Sequence, residues 1–278
     1  IERCISSLAN QNLSSFEIIC IDDASPDTRI GDLLELLKYK NKALKIITQK
    51  SNGGISLAQN CAVEAATGEY IAFLDCDDIL EDGALSIINN YIERNPNIDY
   101  FFTDRQDIDE NETTIRTALY GGYQNINFKN QEKIKFDLVD GMIASHLKVI
   151  KKSKYQEVGG CDPRFAGVQD WDLALKISRN GNFFYINRSL YKHRIHSNSV
   201  TRGDNVSQFR KTNIVRRKYW GFLKEKREVS FIGDIKILTT STQWGDVAKL
   251  KEFLEHGYVC AAYLPDSLNI GEINFFRE

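Results

Sequence analysis

Ala66-Thr67-Gly68-Glu69-Tyr70-Ile71-Ala72-Phe73-Leu74-Asp75-Cys76-Asp77-Asp78 holds a helix stop, an apolar strand and an acidic turn in one short stretch. Thr67-Gly68 ends a helix that runs from about Ile55 to Ala66, with Leu57, Cys61 and Ala65 at i, i+4 and i+8. Tyr70–Leu74 is the strand, and three carboxylates follow it within four residues. The same alternation extends to both sides. Upstream lie a helix over Ile1–Asn10, the continuous apolar run Phe16–Ile21, a helix over Arg29–Tyr39 and a strand over Leu44–Thr48. Asp22-Asp23-Ala24-Ser25-Pro26-Asp27 ends the apolar run, and Asp27 can cap the helix after it. Downstream come a helix over Gly83–Arg94 and a strand over Ile98–Thr103. Strands alternating with helices of this length predict a doubly wound, mostly parallel α/β sheet flanked by helices.

The composition fits a globular chain: 278 residues, 42% hydrophobic and 11% aromatic, which excludes a disordered tail protein. No apolar stretch approaches the roughly 18 residues needed to cross a bilayer. A formal net charge of −2 gives no global case for nucleic-acid binding. The six cysteines are scattered with no CxxC pair, as expected of a reduced, cytoplasmic compartment. The chain opens at Ile1 in what reads as mid-helix, so the expectation is a fragment whose first strand lies upstream.

After Asp104 the pattern changes. Residues 104–168 are more polar, with glycine turns at Gly121-Gly122 and Gly159-Gly160, and suit an acceptor pocket. Asp170–Asn180 reads as a helix and Phe183–Tyr191 as a strand. The expected division is one domain over 1–228, with a donor half at about 1–104, an acceptor half at about 105–201 and a basic helix at about 202–227. Residues 229–278, opening with the strand Ile235–Thr239, read as the start of a second α/β domain; Trp244-Gly245-Asp246 is its first ligand-facing turn.

In open α/β sheets ligands bind beyond the carboxyl ends of strands, where Asp75, Asp77 and Asp78 fall. Carboxylates packed this closely repel one another and call for a counter-cation; Mg²⁺ or Mn²⁺ bridging to a diphosphate is one answer. A solvated acidic turn is the other.

Four segments in order decide for the first answer. Ile21-Asp22-Asp23-Ala24-Ser25-Pro26-Asp27, Asn52-Gly53-Gly54-Ile55-Ser56-Leu57-Ala58-Gln59-Asn60, the Ala66–Asp78 stretch and Gln169-Asp170-Trp171-Asp172-Leu173 together resemble family 2 glycosyltransferases of the GT-A fold, over roughly residues 1–225. The resemblance implies an inverting, metal-dependent hexosyltransferase. It would move a sugar from a nucleotide-sugar, a UDP-sugar above all, to a saccharide or lipid-linked acceptor in bacterial cell-surface polysaccharide or glycolipid assembly.

The resemblance also implies roles by position. Asp23, with Asp22 beside it, contacts the nucleotide base, although turn formation is an alternative for both. Asn52, Gly53 and Gly54 let the backbone approach the donor, or form a plain loop. Asp75 contacts the ribose, Asp77 (the second Asp of the DxD motif) binds the divalent metal, and Asp78 supports it. Asp170 is the general base, against the alternative of a helix N-cap; the helix dipole holds such a carboxylate ionised. His196 in Tyr191-Lys192-His193-Arg194-Ile195-His196 is a further metal ligand, while His193 packs on the sheet and His146 and His256 are structural or surface residues. Gln59 stands where the family usually has Arg, and Gln169 where it usually has Glu.

From Arg202 to Arg227 nine Lys/Arg stand against Asp204 and Glu225, a net +7 that leaves −9 on the rest of the chain. Such a helix can touch anionic lipid at the inner face of the plasma membrane, or it is a solvated face. Two other functions compete. One is a non-catalytic nucleotide-sugar-binding module, motivated by Gln59 and Gln169. The other is a haloacid-dehalogenase-type phosphatase, suggested by Phe73-Leu74-Asp75-Cys76-Asp77-Asp78-Ile79 and opposed by Gln208 and Leu238 at the positions of its second acidic motif.

Overall fold

The computed structural model describes residues 1–118, 131–196 and 205–224. The chain divides into two units, residues 1–138 with 142–212 and residues 139–141 with 213–278. Nearly all described elements belong to the first.

That unit opens with α1 (Glu2–Ser7) and a 3-10 turn (Leu8–Asn10). Next come β1 (Ile18–Asp22), α2 (Arg29–Lys40), β2 (Leu44–Thr48), α3 (Ile55–Ala65) and β3 (Tyr70–Phe73). The chain continues through β4 (Ile79–Leu80), α4 (Ala84–Arg94), β5 (Tyr100–Ile108) and β6 (Thr114–Ala118). It then forms α5 (Gln131–Asp140), β7 (His146–Lys151), α6 (Lys152–Glu157), α7 (Gln169–Ser178), β8 (Phe183–Arg194) and α8 (Asn205–Lys224). α8 covers much of the expected basic helix and runs into the second unit. The 228/229 boundary, the Gly121-Gly122 turn, Arg202, His256 and the whole 229–278 segment lie outside the described residues.

The α/β class and the flanking helices are as the alternation requires, and strand direction is where the structure departs. β1 and β2 pair in parallel as a two-stranded sheet. The six-stranded sheet runs β3-β7-β5-β8-β4, with β6 added to β5. Only β5–β8 is parallel there; β3–β7, β5–β7, β5–β6 and β4–β8 are antiparallel. Two of these pairings belong to β7, a central strand from within the polar 104–168 stretch. Its Leu147, Val149 and Ile150 are buried, and so is Lys148 at 8% exposure. A lysine inside a strand reads as polar surface unless its partners are known.

The core lies under this sheet. Leu8, Ile18, Leu37, Leu44, Leu80, Ile88, Phe101, Val149, Leu190 and Tyr191 form one cluster. Tyr100, Phe101 and Phe102 are fully buried on β5, and Tyr100 stacks on Phe183 of β8 at 4.7 Å. Each such ring contributes about 1.5–3 kcal/mol by leaving water.

Candidate active site

The acidic turn after β3 is tied down from β8. The Asp78 N–H donates to the Asp75 carbonyl at 3.1 Å. The Tyr191 hydroxyl donates to Asp78 Oδ2 at 2.6 Å and accepts from the Asp75 N–H at 3.2 Å. The Arg194 N–H donates to Asp78 Oδ1 at 2.7 Å, and its Nε donates to the Asp77 carbonyl at 2.9 Å. Asp78 is therefore buried and braces the turn from inside. Burial pushes its carboxyl up to about 6, against the opposing pull of the Tyr191 and Arg194 hydrogen bonds.

Asp77 points the other way. Its side chain is 45% exposed, and Oδ2 lies 2.9 Å from Nε2 of His196, just past the end of β8. A carboxylate and an imidazole facing one another on the rim suit a divalent cation whose remaining positions are filled by water and phosphate oxygens. A second group, Asp78, His146 and His193, holds potential ligand atoms within 4.8 Å of one another. Its polar atoms are already engaged. His193 Nδ1 bonds Asp107 Oδ1 at 3.0 Å, and Arg105 Nη1 donates to His146 Nδ1 at 3.0 Å. Asp77 and His196 likewise bond one another at 2.9 Å. His146 and His193, on β7 and β8, belong to a polar layer with Asp107, Arg105 and Tyr191. Burial first, then Lys148 and Arg105, hold His146 well below the ordinary histidine range, so it is neutral.

Asp170 approaches from the acceptor side. It sits in the first turn of α7, whose N-cap is Val168, so it is not itself the cap. Its Oδ1 accepts from the Trp171 N–H at 2.8 Å, and its Oδ2 faces Lys148 Nζ of β7 at 3.5 Å. Asp75 feels the charge of the same ammonium. Burial raises the Asp75 carboxyl above its ordinary value, with Lys148 opposing and Asp77 and Asp170 adding to the rise. Burial alone would lower the Lys148 ammonium, but Asp170 and Asp75 outweigh it and hold the group above the usual lysine range. Lys148, which lies in none of the motifs, thus pairs with the start of α7 and feels the charge of the turn after β3. Gln169 is buried and accepts from the Gly167 N–H at 2.7 Å, a position where a carboxylate would pay desolvation that an amide does not.

On the other flank, both oxygens of Asp23 accept main-chain hydrogen bonds, from Gly53 N at 2.9 Å and Gly54 N at 2.7 Å. Gly54 sits at φ +79°, which favours glycine. Asp22 Oδ1 caps the Ser25 N–H at 2.9 Å, the turn-forming role. Asn52 is exposed beside them. α3 then reaches the acceptor segment. Gln59 Oε1 accepts from Cys161 Sγ at 3.2 Å, while Asn60 bonds both the N–H and the carbonyl of Cys161.

An α/β sheet with carboxylates gathered after β3 and at the start of α7 defines a class, and the comparisons identify it. The Glycosyl transferase family 2 profile matches residues 1–159, more than half of the chain. The chain belongs to that family. It is 28% identical over 220 residues to the hyaluronan synthase of Pasteurella multocida, covering 79% of this chain and 21% of that one. It is 30% identical over 226 residues to the chondroitin synthase of Escherichia coli, covering 81% of this chain and 30% of that one. The chain thus spans between a fifth and a third of the length of these relatives. Among solved structures it resembles S. aureus TarS 1–349 in complex with UDP, with a TM-score of 0.57, 20% identity and coverage of 77% of this chain and 61% of that one. The fold is that of the GT-A family 2 enzymes.

Proposed function

We propose that the protein is an inverting, metal-dependent glycosyltransferase. It moves a sugar from a nucleotide-sugar, a UDP-sugar, to an acceptor hydroxyl in cell-surface polysaccharide or glycolipid assembly. This reading is supported chiefly by the Asp170–Lys148 ion pair at 3.5 Å, whose ammonium also feels the charge of Asp75, together with the Asp77–His196 pair. A UDP complex of the fold neighbour TarS and the polysaccharide products named for the relatives support the donor and acceptor classes.

Within this reading, Asp23 and the Asn52–Gly54 turn cradle the nucleotide and Asp75 takes the ribose. Asp77 and His196 would hold Mn²⁺ or Mg²⁺, which when bound offsets the charge of the departing diphosphate. Asp170 takes the proton from the acceptor oxygen as that oxygen attacks the anomeric carbon from the side opposite the diphosphate. A positioned base of this kind supplies about 10²–10⁴-fold. Among the described residues no helix is long and apolar enough to cross a membrane. The basic helix gives the enzyme a peripheral contact with anionic lipid on the cytoplasmic face.

The test is release of UDP from UDP-glucose and UDP-N-acetylglucosamine with Mn²⁺ by the full chain. Metal-dependent release that Asp170→Asn abolishes supports the transferase. Donor binding without turnover supports a binding module instead.

A further inference from the structure

Arg194 is the last residue of β8, and its guanidinium joins two other segments. Nε donates to the Asp77 carbonyl at 2.9 Å. Nη1 donates to the carbonyls of Asp109 and Glu110, each at 3.1 Å, and Nη2 meets Glu112 Oε1 at 3.4 Å. These residues form the turn between β5 and β6, which is closed on itself: Asp109 Oδ1 accepts from the N–H groups of Asn111 at 2.9 Å and Thr113 at 2.8 Å. Arg3 of α1 also pairs with Glu112, at 2.9 Å. The Arg194 side chain is 14% exposed, so it faces the fold rather than solvent. A guanidinium offers its donors in a rigid planar fork, which an ammonium cannot imitate.

Ladder pairing does not reach the Asp77–His196 pair. β3 ends at Phe73 and β8 at Arg194, and β4 begins only at Ile79, so both partners lie outside the strands. Arg194 acts on each of them. It holds the Asp77 carbonyl through Nε, and it stands two positions before His196 while its own N–H is anchored to Asp78 Oδ1 at 2.7 Å. We propose that Arg194 is a positioning residue: a latch that clamps the β5–β6 turn to the acidic turn and so holds the Asp77 carboxylate and the His196 ring where one divalent cation can meet both. This assignment rests on the transferase reading above. The sign of the effect separates it from plain electrostatics. A fixed positive charge repels a nearby cation, so if charge alone mattered, removing the guanidinium would tighten cation binding. A latch predicts the reverse.

The experiment titrates Mn²⁺ into the UDP-saturated full chain, read by electron paramagnetic resonance, for the parent, Arg194→Met and Arg194→Lys. Calorimetry on the same proteins gives UDP affinity without metal. Arg194→Met should weaken Mn²⁺ binding by about tenfold or more, the size expected for a lost outer-shell partner. Metal-free UDP affinity should stay near that of the parent. Arg194→Lys should fall with Arg194→Met, since it keeps the charge and loses the fork. Thermal unfolding without metal checks that each variant folds, and Arg194→Lys carries the test if Arg194→Met does not. Unchanged or tighter Mn²⁺ binding in a folded Arg194→Met overturns the assignment, and so does parent-like binding in Arg194→Lys. Metal-free UDP affinity that falls as far as Mn²⁺ affinity also overturns it, because the loss would then not be confined to the cation pair. None of these touches the transferase reading if the parent releases UDP from a UDP-sugar in a metal-dependent way. A parent that shows the expected Mn²⁺ pattern but releases no UDP supports the latch and overturns the transferase. A parent that binds no Mn²⁺ with UDP present overturns both.

Discussion

His196 Nε2 and Asp77 Oδ2 lie 2.9 Å apart although 119 positions separate them in the chain. Their meeting depends on β8, which pairs with β4 at Tyr191 and Lys192 and so delivers its own end to the turn that carries Asp77. If this pair holds the cation, His196→Ala should weaken Mn²⁺ binding by at least about tenfold, and Asp77→Asn by more. Electron paramagnetic resonance titration of Mn²⁺ into the UDP-bound protein measures both. Unchanged affinity in His196→Ala would remove the histidine from the ligand set.

Asp23 reaches across to Gly53 and Gly54 with both oxygens, joining the end of β1 to the start of α3. Its contribution to nucleotide binding is thus partly indirect, through the shape of the glycine turn. Asp23→Asn keeps one acceptor but presents an NH₂ to the second amide donor, leaving one hydrogen bond unmade. UDP binding should weaken by about 5–30-fold, the equivalent of one lost hydrogen bond to a charged group plus local loosening. Calorimetric titration with UDP and Mn²⁺ reads this directly.

Much of this site was legible in the sequence because motif residues sit at strand and helix ends that periodicity locates well. The Leu44–Thr48 strand is found as expected, and the Ile55–Ala66 helix ends at Ala65. What could not be read is what depends on pairing across the sheet. β7 escapes the periodicity because Lys148 breaks its apolar run, and its ion pair with Asp170 accounts for a lysine there. His146 looked solitary because Arg105 meets it only once β5 and β7 pair. Strand direction was missed for the same reason: residue period reports which face is buried and says nothing about which way a neighbour runs.

Asp107, 1% exposed on β5, accepts from Arg105, Arg116 and His193. Burial would raise its carboxyl, but the hydrogen bonds from His193 and Arg116 and the charge of Arg105 win and hold it well below the usual range. A depressed folded value means stability that is present above the unfolded pKa of about 3.9 and is lost as pH falls through the folded one. Asp107→Asn should therefore destabilise the protein by about 2–3 kcal/mol at neutral pH, leaving the part-buried Arg105 beside an amide. The difference from the parent should narrow below about pH 4. Urea unfolding across that range checks both the size and the sign.

The acceptor segment hangs on Asn60 and Gly160. Gly160 sits at φ +63°, and a Cβ there would come within 2.5 Å of Asn60 Oδ1 and 2.9 Å of Tyr155 Cε1. That same Oδ1 accepts from the Tyr155 hydroxyl at 2.6 Å and from the Cys161 N–H at 2.9 Å. Gly160→Ala thus pays for a left-handed backbone and also pushes aside the amide that holds Cys161, a cost of about 1–3 kcal/mol for the backbone alone. Because the chain runs from Cys161 through the glycine loop to Asp170, the loss should show in kcat for sugar transfer more than in UDP affinity. Asn60→Ala leaves the glycine unstrained but strands the Cys161 peptide, so it should reproduce the fall in kcat with a smaller backbone penalty. Measuring kcat, UDP affinity and urea stability on both variants separates the two contributions. Full activity in Asn60→Ala would show that the segment holds its shape without the clamp.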